Sequence, residues 1–244
     1  MNTAETIRTA VAQVDRLRAE SRVSPAIAGA VGLVKRFQAR RFAGTYADLL
    51  AGGPYAPAAR FFLDELYSDR DYADRDAQFA RIAGAVERVF PRDVAHTAAA
   101  LAQLHALTES LDHAMAVTGA LGSDQDVDGY VLAWRRVGRR AEREEQLERV
   151  VAVGAEITRL TRLPGLRFML KMMRAPAAAA GLSSLQAFLE AGFDTFAAVA
   201  RTRGGAESFL AIIRERELRL LQLLFDGDAV ACGTELQDIL GQAR

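Results

Sequence analysis

The stretch FFLDELYSDRDYADRDAQFARIAGAVERVFP, residues 61–91, is the segment from which the fold class can be predicted. Its first residues are apolar on nearly every side of a short helix, which is typical of a buried helix. Asp64 and Glu65 interrupt that surface, so at least one carboxylate should lie at the edge of the core beside an arginine. Tyr67 brings a hydroxyl group that needs a hydrogen-bond partner. We therefore expect a buried helix with a polar edge.

A second helix is predicted after the polar connector SDRDYADRD, which has no apolar period. Asp74, or alternatively Asp71, is suited to cap its N-terminus by accepting hydrogen bonds from the first turn. Apolar residues then recur at spacings of three and four, at Phe79, Ile82, Val86 and Val89. Pro91 ends this helix because the residue before a proline disfavours helical geometry.

The same stretch resembles the hallmark of an uncharacterised family of bacterial proteins of about this length. The pattern is two phenylalanines, an acidic pair, Leu-Tyr-Gly, and then Asp and Arg-Asp. The matching residues are Phe61, Phe62, Asp64, Glu65, Leu66, Tyr67, Asp71, Arg75 and Asp76, whereas Ser68 stands in place of the glycine. YAPAAR upstream and RRAER downstream are also similar. The resemblance implies an all-helical protein with no assigned activity.

Composition also favours a soluble globular protein. The chain has 244 residues, of which half are hydrophobic and a quarter are charged, and this length can bury one large core or two smaller ones. Helical periods recur throughout, so we predict an all-α fold with one bundle-like domain of about eight to ten helices over residues 1–244. A subdivision into 1–162 and 163–244 is the alternative.

Charge and cysteine content narrow the function classes. The formal net charge is zero, which argues against a general nucleic-acid-binding protein. The single cysteine, Cys232, excludes an intramolecular disulfide. No apolar stretch approaches the length of a membrane span or a signal peptide, so we expect a cytoplasmic location.

A helix is predicted to begin with Ser24 as N-cap and Pro25 as first residue. Four basic residues form one turn of this helix, namely Lys35, Arg36, Arg40 and Arg41. They could face solvent and supply partners for Asp64 or Glu65. Anion binding is the alternative.

A predicted helix from Arg92 to Thr118 carries His105, Glu109 and Asp112 on one flank, at offsets of four and three. These residue types bind metals or transfer protons. The spacing is not the Glu-x-x-His repeat of di-iron bundles, and no second helix offers a match. A buried polar cluster with arginine partners is the interpretation we favour over a metal or acid–base site. No metal or other cofactor is predicted.

A long helix is predicted from about Val127 to Arg162, and its apolar stripe changes direction between the two halves. A bend near Gly138, or a helix that meets different neighbours along its length, would explain the change. Asp124, Asp126 and Asp128 before it alternate like a calcium loop, but Arg135 stands at the twelfth position, where such a loop requires a glutamate. We therefore expect these aspartates to cap the helix. Arg135 and Arg139 could hold a ligand carboxylate or phosphate. We expect instead that they pair with an acid of another helix, namely one of Asp64, Glu65, Glu109 and Asp112. Trp134 beside them is placed for a cation–π contact.

The segment GLRFMLKMMRAP, residues 165–176, is mostly apolar, with Arg167, Lys171 and Arg174 in a narrow basic stripe. Such a stripe can lie on an anionic membrane, and a methionine-rich face can accept a partner protein. A core helix with one exposed edge fits equally well.

Local catalytic motifs are absent from the sequence: there is no phosphate-binding glycine loop, CxxC, HExxH or GxSxG. We therefore favour a non-enzymatic interaction or ligand-binding protein whose partner is an unknown protein or small molecule. One alternative is an enzyme that uses the His105, Glu109 and Asp112 flank with Arg135 or Arg139. Another is peripheral membrane attachment, and homo-oligomerisation stays open.

Overall fold

The structure, a computed structural model, describes residues 2–67 and 72–243, and over residues 85–89 it describes the backbone alone. Within those residues the regular structure is entirely helical, as predicted. In chain order the helices are α1 (Thr3–Val23), α2 (Pro25–Thr45), α3 (Ala47–Leu50), α4 (Ala56–Glu65), α5 (Ala73–Val89), α6 (Arg92–Val117), α7 (Val127–Val137), α8 (Arg140–Leu160), α9 (Leu166–Met172), α10 (Arg174–Ala179), α11 (Ser183–Val199), α12 (Gly205–Asp226) and α13 (Ala229–Gln242).

These thirteen described helices exceed the eight to ten predicted, because breaks divide segments that the apolar period presents as continuous. The clearest break is at Gly138, where the predicted bend is a full interruption between α7 and α8. Gly138 has φ +64°, in the left-handed region that only glycine adopts without strain. Its amide donates to the carbonyl of Trp134 and so closes the last turn of α7.

Helix caps follow the sequence prediction in some places and not in others. Ser24 accepts from the Ile27 amide, and Asp126 accepts from the Gly129 amide, as expected of N-caps. Asp74 is not a cap, because α5 begins at Ala73 and places it inside the first turn. Its carboxylate instead accepts from Gln78 and Ser184. The alternative cap, Asp71, lies outside the described residues, as does Ser68.

Helix α6 is central, since it packs against α1, α2, α5, α7 and α8. Helix α8 also packs on α12 and α11, while α13 closes the far side against α2 and α7. The short helices α9 and α10 pack on each other and on α11. Nothing in this arrangement tests the predicted single domain or its alternative division at residue 162, and both stay predictions.

Candidate functional site

A large apolar chamber lies between α4, α5, α6, α8 and the α9–α11 region, and we name it the apolar chamber. Its volume is about 350 Å³. Phenylalanine, leucine, valine and alanine side chains form almost all of its described wall, and Thr97 and Gln186 are the only polar side chains there. The wall is apolar because each surrounding helix turns its predicted core stripe toward it. Leu170 of α9 and Ala177 of α10 form part of its roof.

A second cavity, of about 90 Å³, adjoins the apolar chamber, and polar side chains line it alongside apolar ones. Eight described residues line both spaces, among them Leu66, Leu101 and Phe188. One layer of side chains therefore separates them at most. We name the smaller space the polar cavity. Its polar lining residues are Lys35, Gln38, Glu65, Tyr67, Tyr72, Arg75, Asp76, His105, Thr108, Asp112 and Gln146.

His105 is held by Asp76 at one side of the polar cavity. Its Nε2 lies 2.8 Å from Asp76 Oδ2, and the Arg18 guanidinium donates to the same oxygen at 2.7 Å. Burial by itself would raise the pKa of Asp76, but the hydrogen bonds and charges of His105 and Arg18 outweigh it and hold that pKa below its usual range. The sequence offered no signal for this pairing, because Arg18, Asp76 and His105 belong to three different helices.

Glu65 and Arg75 form another ion pair in the wall of the polar cavity, with Nη1 and Oε2 3.1 Å apart. The Arg75 guanidinium lies 3.8 Å from the ring centre of Tyr72 and 4.3 Å from that of Phe188. Burial lowers the pKa of Arg75. The expectation that a carboxylate of the acidic pair meets an arginine at the edge of the core is met by Glu65, whereas Asp64 is exposed.

Three residues of the predicted basic turn of α2 pair with acids other than Asp64 and Glu65. Lys35 donates to Glu109 at 2.6 Å, Arg40 lies 3.6 Å from Asp124, and Arg41 pairs with Glu217 of α12. For these three residues the expected partners were wrong, because they face α6, the segment that follows α6, and α12.

The flank of His105, Glu109 and Asp112 is divided among three separate partners. Asp112 accepts from Gln38 Nε2 at 2.9 Å and lies 4.0 Å from Arg143 Nη1. Burial raises the pKa of Asp112 despite the neighbouring cations. Because the three side chains face different counter-groups, they do not converge on one point. No group of three or more His, Cys, Asp or Glu within the described residues has the arrangement of a metal site.

Arg135 and Arg139 do not make the predicted pairs with an acid of another helix. Arg135 donates to the carbonyls of Leu224, at 3.0 Å, and Gly227, and so binds the C-terminal end of α12. Arg139 pairs with Glu142, which is three residues away and belongs to the helix that Arg139 itself caps. Neither arginine lines the polar cavity. The cation–π contact of Trp134 is made by Arg143 instead, 4.2 Å from the ring.

A buried cluster that sequence reasoning missed joins Arg41, Glu217 and Tyr46. The Tyr46 hydroxyl donates to Glu217 Oε1 at 3.0 Å, beside the Arg41 ion pair. Arg41 also lies over the ring of Tyr67, 5.6 Å from its centre. Burial raises the pKa of both Tyr46 and Tyr67. Glu217, which is half-buried, lies in a run of alternating charges, where no local pattern distinguishes it from the exposed acids.

The predicted basic stripe of α9 and α10 is largely paired. Arg167 donates to Asp194 at 2.7 Å, and Arg174 donates to Glu190 at 2.7 Å. The Arg174 hydrogen bond lowers the pKa of Glu190 to about 2. These bridges fasten the roof of the apolar chamber to α11. On its outer side the roof exposes Phe168 (68%) and Met172 (61%).

Comparisons with known proteins place the chain without giving it a function. Neither the curated proteins nor the solved structures contain a match. No described helix is long and apolar enough to cross a membrane. A family profile with the description "Domain of unknown function (DUF8198)" matches residues 17–231. That span contains α2 to α12 and every described lining residue of the two cavities except Val11. The expectation of an uncharacterised family is confirmed, while the proposed signature within it stays a prediction. The chain belongs to the DUF8198 family.

Proposed function

We propose that this protein binds a small amphiphilic molecule, with the apolar body of the ligand in the apolar chamber and its polar end in the polar cavity. The observation that carries the proposal is an apolar space of about 350 Å³ that adjoins a polar one. Ligand sites typically have volumes of about 300–1,000 Å³, apolar walls and a few convergent polar groups.

An empty chamber of this size would be costly. Protein interiors are close-packed and contain few voids larger than a water molecule. At about 24 cal/mol per Å³ of unfilled core, a closed void of this volume would cost on the order of 8 kcal/mol. The apolar chamber is partly open to solvent, so its cost is smaller than that. Water gains little in an apolar cavity, since it finds few partners there. An apolar ligand would recover much of this cost.

The electrostatics favour binding over catalysis. The charged groups around the polar cavity hold one another in ion pairs, such as Asp76 with Arg18 and Glu65 with Arg75. A general acid or base must be free to exchange a proton with the substrate. We therefore prefer a non-enzymatic ligand-binding role to the enzyme alternative. A cytoplasmic location and the lack of a nucleic-acid partner stay predictions.

The test is to measure binding with Nile red, an uncharged apolar dye, on protein first extracted with organic solvent and refolded. Fluorescence should rise and saturate at one dye per chain. Ala98→Phe should abolish the rise, because Ala98 lines the apolar chamber and a phenyl ring would occupy it. Ala155→Phe is the matched control, because Ala155 is exposed on α8. Mass spectrometry of the extract should detect the natural ligand.

Equal dye binding by wild type, Ala98→Phe and Ala155→Phe would contradict the proposal, since the dye would then bind at the surface. Circular dichroism of all three proteins verifies that each is folded.

A second candidate function, attachment to a lipid surface, is favoured by the exposure of Phe168 and Met172 beside Lys171 on the roof of the chamber. An interfacial helix buries such apolar side chains among lipid headgroups. The salt bridges of Arg167 and Arg174 reduce the charge available for an anionic membrane. Vesicle flotation should therefore depend on the apolar pair. Flotation that survives Phe168→Ser with Met172→Ser would contradict this candidate.

A further inference from the structure

We infer that the ligand is uncharged and carries a hydroxyl or carbonyl group at its polar end. This inference rests on the proposed function, because it assigns the chemical class of the molecule that the two cavities would hold. It follows from how the charges around the polar cavity are paired and from the hydrogen-bonding capacity that remains.

Each charged side chain that lines the described part of the polar cavity has an opposite charge within 4.0 Å. Lys35 faces Glu109 at 2.6 Å, Arg75 faces Glu65 at 3.1 Å, Asp76 faces Arg18 at 2.7 Å and Asp112 faces Arg143 at 4.0 Å. The four pairs contain four cations and four anions. The four pairs together therefore carry no net formal charge, because Arg18, Glu109 and Arg143 behind the described wall balance the charged residues in it.

A charged ligand would have to break one of these pairs. A carboxylate could take Arg75 or Lys35 only by separating it from Glu65, which is half-buried, or from Glu109, which is buried. An ammonium group would need Asp76 or Asp112 in the same way. Removing one partner of a buried pair is strongly unfavourable, because the remaining charge stays desolvated. An uncharged ligand avoids this penalty.

Hydrogen-bonding groups remain for an uncharged polar end. Thr108 Oγ1 accepts from Gln146 at 2.8 Å and still has its own hydrogen to donate. Gln38 donates through Nε2 to Asp112 and keeps its carbonyl oxygen as an acceptor. One donor and one acceptor therefore lie in the wall of the same small cavity. A hydroxyl group can satisfy both, and a carbonyl group can accept from Thr108.

The experiment compares decanol, decanoate and decylammonium as competitors of Nile red at neutral pH, below their micelle concentrations. The three share one apolar chain and differ only in the charge of the polar end. Decanol should displace the dye at a concentration about tenfold or more below the two ions, which corresponds to about 1.4 kcal/mol.

A variant should remove the preference for decanol over decanoate. Glu65→Gln keeps the shape of the side chain but leaves Arg75 without its anion, so decanoate should bind about tenfold more tightly than to wild type while decylammonium should not. Glu148→Gln is the matched control, because it breaks an arginine pair with Arg214 on the exposed surface. It should leave all three competitors unchanged.

The outcomes separate the two proposals. If decanoate or decylammonium competes as well as decanol in the wild type, the inference about charge is overturned while the binding function stands. If no competitor displaces the dye and Ala98→Phe does not affect dye binding, the proposed function fails, and the inference fails with it.

Discussion

Replacing Arg143 by methionine tests whether the buried charges around α6 hold the helices together. Arg143 on α8 and Asp112 on α6 are 5% and 3% exposed, and their nearest charged atoms are 4.0 Å apart. Arg143 also donates to Gln146 at 3.1 Å and lies over Trp134. Methionine preserves much of the apolar volume but removes the charge, so the carboxylate of Asp112 loses its nearest cation.

The expected loss can be worked out from this geometry. Two unit charges 4 Å apart attract by about 4 kcal/mol at an effective dielectric constant near 20. Breaking a buried pair on one side typically costs about 3–5 kcal/mol. We therefore expect Arg143→Met to lower the free energy of unfolding by about 3–4 kcal/mol at neutral pH. Asp112→Asn in the same background should recover most of it, because the neutral amide needs no cation.

The pH dependence has a definite sign. Burial already raises the pKa of Asp112 above its unfolded value of about 3.9, and removing Arg143 should raise it further. A group with a raised folded pKa stabilises the fold most below its unfolded pKa, and that contribution is lost as pH rises through the folded pKa. The cost of Arg143→Met should therefore shrink in acid relative to wild type.

Urea denaturation followed by far-ultraviolet circular dichroism measures these changes, with an unchanged m-value as the sign that the unfolding transition is comparable. Arg149→Met is the control on the same helix, since its pair with Glu145 is solvent-exposed and should contribute about 1 kcal/mol or less. Equal losses for Arg143→Met and Arg149→Met, or an additive further loss on adding Asp112→Asn, would refute the reasoning.

Three further outcomes follow from the same structure. Wild-type stability should fall as pH drops below about 4, because the pKa of Asp76 in the folded protein lies below its unfolded value and the stabilisation is lost as the carboxylate protonates. In Asp76→Asn, the denaturation midpoint should change less over that pH range. Gly138→Ala should lower the free energy of unfolding by about 1–2 kcal/mol, because Gly138 has a positive φ. Gly233→Ala, inside α13 with open space around it, should instead raise the free energy of unfolding, measured by thermal denaturation, by up to about 1 kcal/mol. Equal effects at both glycines would count against this account. Tyr46→Phe should lower stability by about 1–2 kcal/mol, because Glu217 loses a hydrogen bond in the core, and an unchanged melting temperature would show that this bond contributes nothing.

The sequence predicts those features that depend on residues close together along the chain. The spacing of apolar residues predicts helices, and Ser24 with Pro25 fixes the start of α2 because a cap depends on atoms within one turn. The shift of the apolar stripe suggested a bend near Gly138 in one long helix, whereas the structure has two helices with a break at that residue. Asp74 shows the limit of the same logic. Aspartate favours both a cap and a first turn, and one residue of difference decides between them.

The sequence by itself determined the helical class, the balance of charge and the presence of inward-facing ionisable groups on α6. Only the tertiary structure decided which charge meets which. Lys35 and Glu109 are 74 residues apart and His105 and Asp76 are 29 apart, so their pairing depends on how whole helices cross. The apolar chamber likewise cannot be predicted from the sequence, because leucines that line a cavity and leucines that fill a core occupy the same positions in the apolar repeat of a helix. A cavity is the space left when packed helices fail to meet, and that is a property of their arrangement in three dimensions.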